Sequence, residues 1–522
     1  MFRNILKITT GTLISRVFGF IREMVVASYF GTGKIADAFT LALIFPNLFR
    51  QILGEDMVER AFMPPFKRIY DKGNQQQSWR FISVVFNWFF IFLMLATFIL
   101  YLIVPLFFSL KDSFPNTFGF IFSDREFDYD LTMKLILVVL PFTVFIGVAA
   151  FVGSILNFFE KNWIFGFAPM MLSVGVIVGV AVFEPLIGGY SIALGYVIGA
   201  FLQMLIQIPF LINKKFRKET GFKYHFRLLK DKENDYQSVK RESRFITLNA
   251  VFDKIQEVFG RFFASTLVQG STSSLFYAIR LFQLPFAIIS LSITRGINPE
   301  LNRLRATGDL QGFNKVYQKG LNLYILFFFP FTAIFMVISP ELIDIVYQRG
   351  QFSATSLKLT ADAFSMYCVG LLPMSLVGYY KRVLSVFDKN KYALNISVIS
   401  AFLNILFSVV LVKTTQLGHS GIALAASLAY VVNMFVMNNY IKKELQGYVE
   451  KGGIALIHKV ILIILTLLII YITRHFDLYY FHSKTVSLIS IGIKTLLISI
   501  IFLIYYLLSN NIRHNLSGFL KR

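Results

Sequence analysis

The chain is poor in residues that staple or ligate. Among 522 residues there is one cysteine, Cys368. No intramolecular disulfide can therefore form, and the thiol is expected only to pack in a helix. The six histidines, His225, His419, His458, His475, His482 and His514, are scattered without ligand spacing, which argues against a metal site. Acid is also scarce: 29 Asp+Glu stand against 51 Lys+Arg, a net charge of +22. What is plentiful is apolar. The chain is 56% hydrophobic with 59 Phe, and its mean hydropathy is +0.64. That composition defines an all-α polytopic membrane protein.

Fourteen apolar segments are predicted, near 5–30, 35–53, 81–108, 131–156, 163–183, 190–212, 245–268, 272–299, 320–339, 359–387, 392–412, 420–440, 454–473 and 486–508. The first is not expected to be a cleaved signal peptide, because charges break its apolar run and no small-residue cleavage site follows. With the amino terminus inside, the inner loops and termini hold about 34 Lys+Arg and the outer loops about 8, the asymmetry of the positive-inside rule. Both termini are thus expected in the cytoplasm. The basic surplus sets topology and attracts anionic headgroups, so no nucleic-acid partner is expected.

Residues 12–50 depart from a plain membrane pattern. Two segments long enough to span carry Arg16, Arg22, Glu23, Asp37 and Arg50. A charge at bilayer depth costs at least about 2.5–3.5 kcal/mol, so it faces protein or a wet cavity. At about 100° per residue, Thr12, Ser15, Arg16, Gly19, Arg22 and Glu23 share an arc of roughly 120° on one helix, with Leu13, Ile14, Val17, Phe18 and Ile21 opposite. The polar arc suits an anion; internal pairing of Arg22 with Glu23 and snorkelling of Arg16 are the plainer alternative. In the eighth segment Arg280 sits well inside the span, with Gln283 one turn on and Pro285 placed to kink the helix. In the seventh, Lys254 and Arg261 have Asp253 and Glu257 within a turn, consistent with structural pairing.

The loops add organisation. Residues 54–80 suit a short helix on the cytoplasmic surface before Pro64-Pro65. The outer loop 109–130 is acidic, and 213–244 holds eleven Lys+Arg against five acids, as a linker between halves would. An internal repeat supports the halves. Pro141-Phe142 recurs as Pro373-Met374, Phe159-Glu160-Lys161-Asn162 as Phe387-Asp388-Lys389-Asn390, Gly189–Leu194 as Ser420–Leu424, and Phe45-Pro46 as Leu284-Pro285. Offsets of about 228–239 residues make six helices repeat as six, in parallel orientation. The expected architecture is two pseudo-symmetric six-helix lobes plus two carboxy-terminal helices: 1–212, the basic linker 213–244, 245–447, and 448–522. Two such bundles with charge turned inward describe an alternating-access transporter.

At these residues the chain resembles the MurJ (MviN) lipid II flippases of the MOP exporter superfamily, relatives of the MATE drug exporters. The likeness covers essentially the whole chain. It rests on Ser15–Glu23, on Ala36-Asp37-Ala38-Phe39 with Phe45–Arg50, and on Gly54-Glu55 with Ala61-Phe62-Met63-Pro64. Tyr277-Ala278-Ile279-Arg280-Leu281 and Gln348-Arg349-Gly350-Gln351-Phe352 extend it. The resemblance implies translocation of undecaprenyl-diphosphate-linked disaccharide-pentapeptide (lipid II) from the inner to the outer face of the bacterial cytoplasmic membrane. It further implies a cationic cavity containing Arg16, Arg22, Arg50, Arg280 and Asp37, and a lipid-tail groove at the last two helices. Many relatives carry an acid or amide where Ile279 stands, and some have Glu at Gln283. Glu23, Ser15, Asn47 and Gln283 complete the candidate substrate-binding set, with no catalytic residue and no metal ligand. The arginines Arg16, Arg22, Arg50 and Arg280 less Glu23 and Asp37 leave +2, matching a diphosphate of about −2.

Other classes fit less well. A polyprenyl-phosphate glycosyltransferase needs acids and a metal or nucleotide site, and no acid or histidine cluster and no loop of that size is present. A MATE-like exporter of cationic drugs wants a net acidic cavity. A flippase for another lipid-linked oligosaccharide is the nearest rival. No cofactor is expected; the energy source is a coupling ion, for which Asp253, Asp388 and Asn404 are candidates, or the membrane potential. A monomer is expected, with the lipid-linked substrate and membrane lipids as its partners.

Overall fold

The computed structural model describes residues 2–50, 57–113, 127–228, 236–237, 239–240, 243, 258–387, 389–446, 448–449, 456–475 and 484–509, and these are all helix or connection, with no strand among them. Most of the acidic loop 109–130, and Gly54, Glu55, Asp253, Lys254, Glu257 and Asp388, lie outside the described residues. Two compact units divide the chain: residues 1–272 with 349–352, and residues 273–348 with 353–522. The boundary lies downstream of the expected linker at 213–244.

In unit 1 the helices are α1 (Phe2–Phe30), α2 (Lys34–Ala42), α3 (Ile44–Phe49), α4 (Met63–Asp71), α5 (Gln75–Ser113), α6 (Tyr129–Val139), α7 (Pro141–Phe158), α8 (Asn162–Phe167), α9 (Pro169–Ile187), α10 (Tyr190–Ile212) and α11 (Lys214–Thr220). Next comes α12 (Ser271–Thr307), which leads into unit 2. Unit 2 holds α13 (Leu310–Val337), α14 (Ser339–Tyr347), α15 (Ala354–Val369), α16 (Leu371–Val386), α17 (Asn390–Thr414), α18 (His419–Glu444), α19 (Leu456–His475) and α20 (Lys484–Leu508).

Among the described residues eight helices or helix pairs are long and apolar enough to cross a membrane, nine if α15 and α16, bent by 46°, count as one. The expected fourteen spans are therefore matched only in part. Neither α1 nor α12 is among these spans, and most of 245–268 is outside the described residues. Within the segment 35–53, the described residues to Arg50 form two short helices that meet at Leu43. Pro46 has no amide to give the Ala42 carbonyl and its ring crowds that oxygen, so α2 stops there. Pro373 acts likewise on Val369, where α15 stops. Pro285, by contrast, leaves α12 helical throughout.

The segment after residue 56 also differs from expectation. The helix does not end at Pro64-Pro65 but begins there, after a π-helical turn at Val58–Phe62. Prolines fit a first turn because no intrahelical amide is required there. Phe66 and Ile69 are buried in an aromatic cluster with Trp79 and Phe158, whereas Lys67, Arg68 and Asp71 are exposed, so α4 is amphipathic with one face on the core.

Close helix packing in unit 1 depends on missing side chains. A Cβ on Gly175 of α9 would sit 2.2 Å from the Gly199 Cα of α10, and one on Gly179 would sit 2.5 Å from the Gly195 Cα. Two Gly-x-x-x-Gly faces thus meet backbone to backbone, the close approach that binds helices in lipid. The described start of the basic linker is not a free tether. Trp79 Nε1 donates to the Thr220 carbonyl at 2.8 Å, Asn87 Nδ2 to the Arg227 carbonyl at 2.9 Å, and Trp88 Nε1 to the Leu228 carbonyl at 3.0 Å. Residues 220–228 are strapped along α5.

In unit 2 the last two helices pack on α13 through Leu462, Ile469, Ile498, Phe502 and Tyr506, and the Tyr506 hydroxyl donates to the Leu326 carbonyl at 2.7 Å. Their remaining faces, including Leu467, Leu468, Leu496 and Leu503, are exposed and apolar, which suits lipid.

Candidate functional site: buried cations on the first helices and on α12

On α1, Leu13, Val17 and Ile21 are exposed, as is Arg16. Ser15 is half-buried, and Gly19 lies over Ser173 of α9. Arg22 and Glu23 turn inward. Arg22 Nη2 lies 2.5 Å from Glu23 Oε1, with side-chain exposures of 14% and 6%. The guanidinium carbon also stands 5.4 Å from the centre of the Tyr196 ring on α10, a cation–π contact that strengthens out of water. Arg22 Nε is buried without a partner among the described residues. Internal pairing of Arg22 with Glu23 is thus present, and the arginine keeps one donor for a further acceptor.

Asp37 serves a different partner. Its Oδ2 accepts the Gly270 N–H at 2.6 Å, and Asp37 is 3% exposed. A carboxylate there sits at the start of α12, whose first amides have no intrahelical partner and whose dipole favours negative charge. Nearby Arg261 donates from Nη1 to the Thr40 carbonyl of α2 at 3.1 Å. Asn47 and Arg50 are half-buried at the end of α3, where the Arg50 amide caps the helix.

In unit 2, Arg280 is half-buried with its guanidinium carbon 4.9 Å from the Phe276 ring centre, and its Nε has no partner among the described residues. Gln283 is exposed. Of the nine candidate residues, then, Ser15, Arg16, Arg22, Glu23, Asp37, Asn47 and Arg50 belong to unit 1, and Arg280 and Gln283 to unit 2.

Two features are absent from the sequence-based expectations. Tyr196, Gln203 and Gln207 share one face of α10, and the two buried glutamines have no partner for Oε1 among the described residues. Amides in an otherwise apolar helix were the available signal. The run Ser271-Thr272-Ser273-Ser274 is fully buried at the start of α12. No group of three or more His, Cys, Asp or Glu among the described residues is arranged to hold a metal ion.

Two helical units with arginines on otherwise apolar helices define a polytopic membrane protein, and the fold is that of the MOP superfamily. A solved structure described as "Lipid II flippase MurJ, inward closed conformation" superposes with a TM-score of 0.74 at 22% identity, covering 96% of this chain and 98% of its own. An inward-facing multidrug MATE transporter superposes at 0.67 and 13% identity, covering 84% and 98%. The family described as "Lipid II flippase MurJ" matches residues 26–492, and the chain belongs to that family. Relatives named "Probable lipid II flippase MurJ" include one from Rickettsia prowazekii, 26% identical over 93% of this chain and 92% of its own. Another, from Borreliella burgdorferi, is 27% identical over 83% and 82%.

Proposed function

We propose that the chain is a lipid II flippase, carrying the undecaprenyl-diphosphate-linked peptidoglycan precursor across the bacterial cytoplasmic membrane by alternating access, without catalysis. The observation that carries this reading is the family match over 26–492 together with buried arginines that keep a free Nε. Arg16, Arg22, Arg50 and Arg280 are the proposed diphosphate ligands, with Ser15, Asn47 and Gln283 beside them. Arginine suits the task because its planar fork donates bidentate hydrogen bonds and stays charged when desolvated. Glu23 holds Arg22 in the empty site, and a diphosphate arriving there competes for the same guanidinium. The Asp37–Gly270 bond ties α2 to the start of α12, and its breakage accompanies the change of access.

The finer architecture belongs to the same proposal: fourteen spans, lobes at 1–212 and 245–447 joined by 213–244, both termini cytoplasmic, a monomer, and a groove at α19 and α20 for the lipid tail. The exposed aliphatic faces of those helices support the groove. Depletion of the protein in its own cell is the test. Lipid II is expected to accumulate on the inner leaflet. Normal lipid II export with accumulation of a different lipid-linked saccharide would overturn the assignment.

A further inference from the structure

A cavity of about 710 Å³ in unit 2 involves none of the nine candidate residues above. It lies at one end of the unit. Gln348, just past α14, Ala354 at the start of α15, Thr473 near the end of α19 and Ser487 near the start of α20 all line it. Helix ends of a membrane bundle lie at headgroup level. The cavity reaches inward to Lys494, ten residues and thus about 15 Å along α20.

Its charges have both signs. Glu341 and Asp344 come from α14, Lys358 and Asp362 from α15, and Lys494 from α20, while α13 and α19 contribute no charge. Glu341 is ion-paired with Lys494 and its Oε1 accepts from Ser490 Oγ at 3.1 Å. Asp344 Oδ2 accepts from Ser487 Oγ at 2.6 Å. Both contacts of Glu341, with Lys494 and with Ser490, are made by its Oε1. Its Oε2 is buried with no partner among the described residues, a costly state for a carboxylate oxygen unless a donor arrives. Lys358 and Asp362 are exposed. On α20 the residues around Ser487 and Lys494, among them Leu488, Ile489, Ile493 and Leu497, are exposed aliphatics that suit acyl chains.

We infer that this cavity binds the phosphoethanolamine headgroup of a membrane phospholipid, its ammonium against Glu341, Asp344 and Asp362 and its phosphate against Lys358. An ammonium with N–H donors satisfies Glu341 Oε2; a trimethylated choline has none to give. The adjoining aliphatic face of α20 is the reason to assign a lipid and not free phosphoethanolamine.

The test uses the full-length, delipidated protein and short-chain phosphatidylethanolamine, phosphatidylcholine and free phosphoethanolamine, read by native mass spectrometry. The ethanolamine lipid is expected to bind about tenfold more tightly than the choline lipid, the worth of one charge-assisted hydrogen bond. Lys358→Gln and Asp362→Asn, at exposed positions that folding tolerates, are expected to weaken the ethanolamine lipid severalfold and leave the choline lipid unchanged. Glu341→Gln is made together with Lys494→Met so that no buried charge is stranded, and it is expected to abolish the preference. Equal binding of the two lipids by the unaltered protein, or unchanged preference in all variants, overturns the site. Free phosphoethanolamine competing as well as the lipid overturns the lipid assignment.

Discussion

At the scale of residues, two acids that look alike in the sequence do different work. Glu23 holds an arginine, whereas Asp37 holds a backbone amide 233 residues further along the chain. A charged acceptor on a buried N–H contributes about 1.5–3 kcal/mol, and position at a helix start adds about 0.3–1 kcal/mol. Asp37→Asn keeps the shape and loses the charge, so it is expected to lower stability by about 1–2 kcal/mol, with Asp37→Ala costing more. Thermal unfolding of the detergent-solubilised protein reads this. Unchanged stability with abolished transport would instead assign the carboxylate to the substrate. Charged residues in apolar runs were legible because lipid penalises them so heavily, and so Arg22, Glu23, Asp37 and Arg280 stood out. Their partners were not, since a backbone amide or the face of Tyr196 leaves no mark in a charge pattern.

At the scale of elements, what was legible was apolar length and what was not was where helices break or meet. The run 35–53 has the length of a span, but Pro46 divides it. Pro141 and Pro373 drew notice as a repeat, and each stands beside a break, α6 to α7 and α15 to α16. The strap 220–228 reads as a charged linker because its bonds are made by its carbonyls, which every sequence has. The α9–α10 seam was there to be read as paired Gly-x-x-x-Gly motifs. Ordinary carbon contacts lie at about 3.5–4.0 Å, so Gly175→Leu or Gly199→Leu must push the helices apart. Either is expected to destabilise unit 1 by about 1–3 kcal/mol or more, the usual range for overpacking. Gly296→Leu, with no neighbour near its Cβ position, is the control. Equal tolerance of all three in a thermal-stability assay would contradict the seam.

At the scale of the whole molecule, the family and fold were legible because motifs spread along the chain agree in order, which no single motif would establish. The same spread places candidate arginines in both units: Arg16, Arg22 and Arg50 in one, Arg280 in the other. In the proposed reading each arginine is a phosphate ligand, and Arg22 is already held by an anionic group, Glu23. Glu23 would then act as a stand-in anion in the empty state. The most direct measurement compares binding and translocation of lipid II by Arg→Lys and Arg→Ala variants at positions 16, 22, 50 and 280, in reconstituted protein shown to fold normally. Loss of transport is expected in every alanine variant. Lysine is expected to fail wherever two phosphate oxygens are gripped, although net charge is kept. If at least three of the four arginines tolerate alanine without loss of transport, the shared diphosphate site is contradicted.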